Sequence, residues 1–208
     1  DDPRYVHTNA TFSPDGSYLI FSRAEALQLP DVETKENAFY KNREQIERAI
    51  AKRGGFRYDL YRIPFDEGRG GKAVPVQGAA DNGMSNYFPA ISPDGKWLVF
   101  TKARRFNLLQ PDSRLYIVST SGGEPREMTC NTREFNSWHS FAPNGRWMVF
   151  ASKARGPYTQ LYLTHIDEQG RDTPAVELER FSIPERAANI PVFANVDRGM
   201  LHRIRTAD

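Results

Sequence analysis

The chain has 208 residues, 39% of them hydrophobic and 26% charged, with a net charge of +2, which allows one or two folded domains with a sizeable core. So even a balance argues against a nucleic-acid-binding protein, which needs a basic stripe, and no apolar run reaches the length of about 18 residues that spans a membrane. A single cysteine, Cys130, excludes an internal disulfide and any Cys-rich zinc or haem site on this chain. The start at Asp1-Asp2-Pro3, with no initiator Met and no signal-peptide pattern, reads as a mature or cut product.

In chain order, the first predicted element is a hairpin, Phe12-Ser-Pro-Asp-Gly-Ser-Tyr-Leu-Ile-Phe21. Proline presets the second position of a type I turn, Asp tolerates the third, and glycine takes the left-handed position that follows. The same phrase returns as Ile91-Ser-Pro-Asp-Gly-Lys-Trp-Leu-Val-Phe100 and as Phe141-Ala-Pro-Asn-Gly-Arg-Trp-Met-Val-Phe150. Each copy is followed by a short β-rich run: Leu60-Tyr-Arg-Ile63, Leu115-Tyr-Ile-Val118 and Leu161-Tyr-Leu-Thr164. After a Gly-containing loop comes a fourth run, from Lys72 to Gln77, Pro125 to Thr129 and Thr173 to Leu178. The second strand of each unit is apolar throughout, as a strand reads when both of its faces are covered.

Pro93 and Pro143 lie 50 residues apart, whereas Pro14 and Pro93 lie 79 apart. The excess falls between the second and third strands of the first unit, at Leu29 to Gly55, which is predicted to be a helical insertion. Thr34 can cap it, Glu44 and Arg48 are spaced for an ion pair, and Lys52-Arg53-Gly54-Gly55 supplies a basic end and a stop. Phe39, Ile46 and Ile50 form a narrow stripe that pins it as a surface helix or serves for docking.

Four-stranded repeats of about 40–50 residues are the signature of propeller blades. The expected fold is therefore all-β, with three full blades of four antiparallel strands, a partial one, and one helical insertion in the first blade. Blade 1 covers about 6–78 with its insertion at 29–55, blade 2 about 86–130, and blade 3 about 136–178. A partial strand and tail occupy 187–208. There, Asn189-Ile-Pro-Val-Phe193 matches Tyr87-Phe-Pro-Ala-Ile91, the start of an innermost strand. Propellers have about 4–8 blades, so this arc needs a protein partner or further blades to close a ring.

The Ser-Pro-Asp-Gly phrase with its downstream Leu-Tyr strand resembles the TolB-type, WD-like β-propeller repeats, over about Val6 to Leu178. The resemblance implies a periplasmic or otherwise extracytoplasmic, bacterial setting and a scaffold that binds other proteins. The insertion, the Ala142-Pro-Asn-Gly variant and the unfinished fourth blade depart from the pattern.

Strand parity sorts the loops. The Pro-Asp-Gly corners share one face with the turns between third and fourth strands, and the longer loops lie on the other. That longer-loop face carries Arg104, Arg105, Phe106, Arg133, Phe135, Arg180, Phe181 and Arg186, a composition enriched at interfaces. It is the expected partner face, although each Phe could instead cap a blade interior. His7, Asn86 and Asn136 align just before the innermost strands, either as polar groups at the mouth of the central channel or as side chains bonding turn backbone. His139 falls on an innermost strand, as a ligand or as a structural histidine.

No nucleophile elbow, phosphate-cradling loop, His-Glu-x-x-His or Cys-x-x-Cys-His motif is present. The expectation is thus a non-catalytic propeller scaffold or subunit that mediates protein–protein interaction, with no metal and no cofactor on this chain. The alternative is the propeller part of an enzyme, a serine peptidase or a haem-containing oxidoreductase complex, whose catalytic part lies elsewhere.

Overall fold

The computed structural model describes residues 2–26, 44, 47, 57–183, 185–196 and 199–200. Among these residues, twelve strands form three four-stranded antiparallel sheets, each in sequential order. The first holds β1 (Tyr5–Phe12), β2 (Tyr18–Glu25), β3 (Asp59–Pro64) and β4 (Val74–Pro75). The second holds β5 (Ser85–Ile91), β6 (Trp97–Ala103), β7 (Arg114–Ser119) and β8 (Arg126–Glu127). The third holds β9 (Asn136–Phe141), β10 (Trp147–Ser152), β11 (Gln160–His165) and β12 (Val176–Glu177). These are β-propeller blades. The predicted insertion at 29–55 lies outside the described residues except for Glu44 and Glu47, which have helical backbone. The basic tail from 201 onward also lies outside them.

The corners fold as their chemistry dictates. Gly16, Gly95 and Gly145 take φ of 70°, 73° and 69°, the left-handed values that close a type I hairpin. Ser13 Oγ donates to Asp15 Oδ1 at 2.6 Å, and the Ser17 amide donates to the same oxygen at 3.1 Å. The third copy lacks the serine, yet the Arg146 amide still donates to Asn144 Oδ1 at 3.0 Å. A small side-chain acceptor at this position is therefore enough.

The repeated Leu-Tyr and terminal Phe positions meet across the second and third strands. Phe21 pairs with Tyr61, Phe100 with Tyr116 and Phe150 with Tyr162. Their ring centroids stand 6.3, 6.0 and 5.8 Å apart. Offset aromatic pairs of this kind add about 0.5–1.5 kcal/mol to the burial of their area.

Blade faces stack to form two cores. Ile20 and Leu60 of the first sheet meet Leu98, Phe100 and Val118 of the second. Val99, Leu115 and Ile117 of the second meet Met148, Phe150 and Tyr162 of the third. The two-faced burial expected of the second strands holds for Leu98, Val99 and Phe100, at 0–1% exposure. In β2, by contrast, Ile20 is buried while Leu19 and Phe21 are only half-buried, because no blade among the described residues covers that side. The fourth strands are two residues long instead of the predicted five or six. Pro75 has no amide to donate to a ladder, and such short edges resist pairing with other chains.

Candidate partner-binding face and axial channel

The long loops between second and third strands, and those that lead into the next blade, interlock by backbone bonds. The Phe135 amide donates to Pro111 O at 3.1 Å, and the Asn86 amide to Tyr58 O at 2.6 Å. Arg114 Nη2 donates to Arg133 O at 2.6 Å, and Arg57 Nε to Arg104 O at 3.3 Å. This face is consequently a stiff platform rather than a set of independent loops.

All five arginines and one phenylalanine of the sequence-derived set face solvent on this platform. Arg104, Arg105, Arg133, Arg180, Phe181 and Arg186 are exposed, and Phe106 is half-buried. Arg104 is held by Asp112, with Nε to Oδ2 at 3.0 Å. Phe135 is not part of that surface: it is 1% exposed and packs edge-on against Trp138 at 5.0 Å. It caps the blade interior.

The structure adds apolar residues the sequence did not single out. Leu108, Leu109, Tyr158 and Ile183 are exposed on the same side. Between the 155–160 loop and the 3-10 turn at Glu179–Phe181 lies a cavity of about 450 Å³, lined by Arg155, Tyr158, Gln160, Glu177, Ser182 and Glu185. Arg155 Nε lies 2.6 Å from Glu177 Oε2, so the arginine is fixed along one wall. Gln160 is 8% exposed, donates through Nε2 to Arg186 O, and leaves Oε1 buried without a partner. No motif marks this cavity; the only cue in the sequence is the Gly156-Pro157 break beside Arg155 and Tyr158.

The candidate channel residues separate into different environments. Asn86 and Asn136 are fully buried, and their amides bond backbone and side-chain groups of the loops. Asn86 Nδ2 donates to Asn82 Oδ1 at 3.0 Å and to Met84 O at 3.3 Å. Asn136 Oδ1 accepts from the Thr132 amide at 2.9 Å, and its Nδ2 donates to Ser113 O at 3.2 Å. Each therefore ties an innermost strand to the loop before it. His7 is exposed, 5.3 Å from the Phe21 ring, in a hollow of about 710 Å³ on the uncovered side of the first blade. Arg23 lies in that hollow too, its guanidinium 3.5 Å from the centre of the Tyr61 ring, a cation–π geometry.

Of the four candidate channel residues, His139 alone lines the axial cavity, a space of about 220 Å³ where the innermost strands converge. It is 9% exposed, its Nε2–H donates to Val99 O at 3.1 Å, and Nδ1 has no partner. Burial pushes its pKa down to about 4. The sign follows from linkage. The unfolded imidazole, near 6.5, binds its proton first, so stability is complete above about 6.5 and falls as pH drops toward about 4. Urea unfolding at pH 7 and pH 4.5 should differ by about 2 kcal/mol from this group, and His139→Gln should remove that part of the difference. His7, shifted down chiefly by burial as well, remains in both proteins and cancels. Among the described residues, no group of three or more His, Cys, Asp or Glu side chains is placed to hold a metal ion.

No protein-family model matches the sequence, and no curated protein does. Solved structures do share its fold. A protein described as TolB from Agrobacterium tumefaciens superposes with a TM-score of 0.54 at 19% identity, over 91% of this chain and 50% of that one. TolB from Acinetobacter baumannii gives 0.48 at 15% identity, over 79% and 31%. An acylaminoacyl peptidase from Pyrococcus horikoshii gives 0.44 at 12%, over 85% and 26%. The chain thus spans about half the length of the first of these. The likeness is one of fold, a TolB-like β-propeller arc, and propellers host many activities.

Proposed function

We propose that this chain is a non-catalytic propeller segment that binds a protein partner through its long-loop face. The observation that carries the reading is the juxtaposition, on one bonded platform, of exposed Arg105, Arg180 and Arg186 with exposed Leu108, Leu109, Tyr158, Phe181 and Ile183. Arginine and aromatic side chains on a preorganised surface are the groups that dominate protein interfaces. The opposite face offers tight turns whose carboxylates are already satisfied: hydrogen bonds, the first from Ser13, hold Asp15 at a pKa of about 2. The TolB-type repeat adds the expectation of an extracytoplasmic setting within a larger protein or complex.

The test compares two purified variants as baits in an extract of the source cell. Arg105→Glu with Arg180→Glu should lose a co-purifying protein by about tenfold or more, as expected when two interfacial cations are reversed. Asp15→Asn with Asp94→Asn, on the corner face, should retain it. Equal retention by both variants contradicts the reading.

A further inference from the structure

The second and third blades carry the same tyrosine–glutamate pair between their third and fourth strands. Tyr116 stands opposite Glu127, and Tyr162 opposite Glu177. Each tyrosine hydroxyl donates to its glutamate, at 3.1 and 3.5 Å. Two residues before each tyrosine, and so on the same side of the strand, come Arg114 and Gln160. Arg114 Nη2 donates to Arg133 O at 2.6 Å, and its Nε lies 4.0 Å from Glu127 Oε1. In the second blade, therefore, a guanidinium of the chain itself bridges a loop carbonyl and the glutamate.

The third blade keeps the carbonyl and the glutamate but has a shorter, neutral side chain in place of the guanidinium. Gln160 Nε2 donates to Arg186 O at 3.3 Å, whereas Oε1 is buried without a partner, and a buried acceptor with no donor is costly. The cavity of about 450 Å³ beside Tyr158 lies here, and Gln160, as the buried residue of its lining, forms the floor. Nε2 is turned to Arg186, outside the lining, which leaves Oε1 as the branch of the amide for an incoming donor. Arg155 answers Glu177 from the wall, so among the described residues the exposed Glu185 carboxylate is left in excess at the rim. Tyr158, 43% exposed, supplies an aromatic ring of the kind that attracts cations. Tyr162 packs in the core between the second and third blades. The cavity is thus on the side of the third blade that faces the second, and it is built wholly from described residues.

We propose that this cavity receives an arginine side chain of the protein partner, set between acidic residues. The second blade supplies the chemistry, since a guanidinium already occupies the matching place there. The incoming group donates to Gln160 Oε1 and to the Glu185 carboxylate and lies beside the Tyr158 ring. A guanidinium suits the task because its five donors can serve both acceptors at once. The residues that flank it are acidic because they meet exposed Arg180, in the turn that bounds the cavity, and exposed Arg186, next to Glu185. The proposal rests on the long-loop face being the partner-binding face, and it names the side chain which that face anchors.

The test titrates the whole isotope-labelled chain with an acetylated and amidated Glu-Arg-Glu peptide, and with the same peptide carrying citrulline, which keeps the shape and loses the charge. The arginine peptide should bind about tenfold more tightly, the usual gain of charge-assisted over neutral hydrogen bonds, and should shift the side-chain amide signal of Gln160. Glu185→Gln, a substitution at an exposed residue, should weaken binding about threefold, as for a solvent-screened charge. Gln160→Arg supplies the guanidinium from within, as Arg114 does, and should weaken binding by about tenfold or more. Equal binding of the two peptides, no binding, a Gln160 signal that does not move, or unaltered binding by either variant would each overturn the proposal. So would N-acetylarginine amide binding as tightly as the peptide, which would make the cavity a site for a free small cation. The peptides need no captured partner, so this test and that of Arg105→Glu with Arg180→Glu fail separately.

Discussion

Phe100→Ala should lower the unfolding free energy of the chain by about 3–5 kcal/mol, measured by urea denaturation at neutral pH. Phe100 is fully buried, stacks on Tyr116 at 6.0 Å, and stands between the first and second blades against Ile20 and Leu60. Burying a phenylalanine contributes about 1.5–3 kcal/mol, and truncation adds the cost of a cavity that a stacked sheet pair closes only in part. The equivalent Phe21→Ala removes the same side chain from the same position, but Phe21 is only half-buried on the uncovered side of the first blade. Its cost should be about 1–2 kcal/mol. The contrast between chemically identical substitutions isolates the contribution of the neighbouring blade. Equal losses would mean that the blade interface contributes little.

Asp172→Ala should cost about 3 kcal/mol, the lower end of the range for breaking a buried ion pair. The Asp172 carboxylate is fully buried between the second and third blades. One oxygen accepts from Arg126 Nη1 at 2.9 Å, and the other from the Cys130 amide at 2.7 Å. Removing it leaves the amide of a buried residue without an acceptor, whereas Arg126, 44% exposed, recovers some hydration. Asp172→Asn keeps an oxygen for the amide and should recover more than half of the loss. Burial, followed by the charge of Asp172, pushes the Cys130 thiol up. Alkylation of Cys130 at neutral pH should accordingly report unfolding and not native reactivity.

The fold was legible wherever the sequence had to meet a backbone requirement. The Pro-Asp-Gly corners demand a left-handed glycine, and the Leu-Tyr and Phe positions demand each other across a strand pair; both recur and both are observed. Strand parity placed the long loops on one face because antiparallel order leaves no other choice. What escaped depended on tertiary context. Phe135, beside Arg133 in a polar loop, reads as exposed, but its chain takes a φ of 23° there and its ring meets Trp138. The cavity by Tyr158 and Gln160 arises where two loops distant in sequence meet, and no local pattern encodes it. The fourth strands were overestimated because the runs that hold Pro75, Pro125 and Pro174 look like ladders, although proline cannot donate to one. Asn86 and Asn136 were found as aligned positions, and only the hydrogen bonds show that they brace loops.

The central claim is that the face without the repeated phrase carries the function. Photo-crosslinking amino acids placed singly at positions 105, 158 and 181 on the long-loop face, and at 15, 68 and 122 on the corner face, test it in the cell on the full protein. Adducts to one common partner should form from the first three positions and not from the last three. Adducts from the corner positions alone, or equally from both faces, would contradict it.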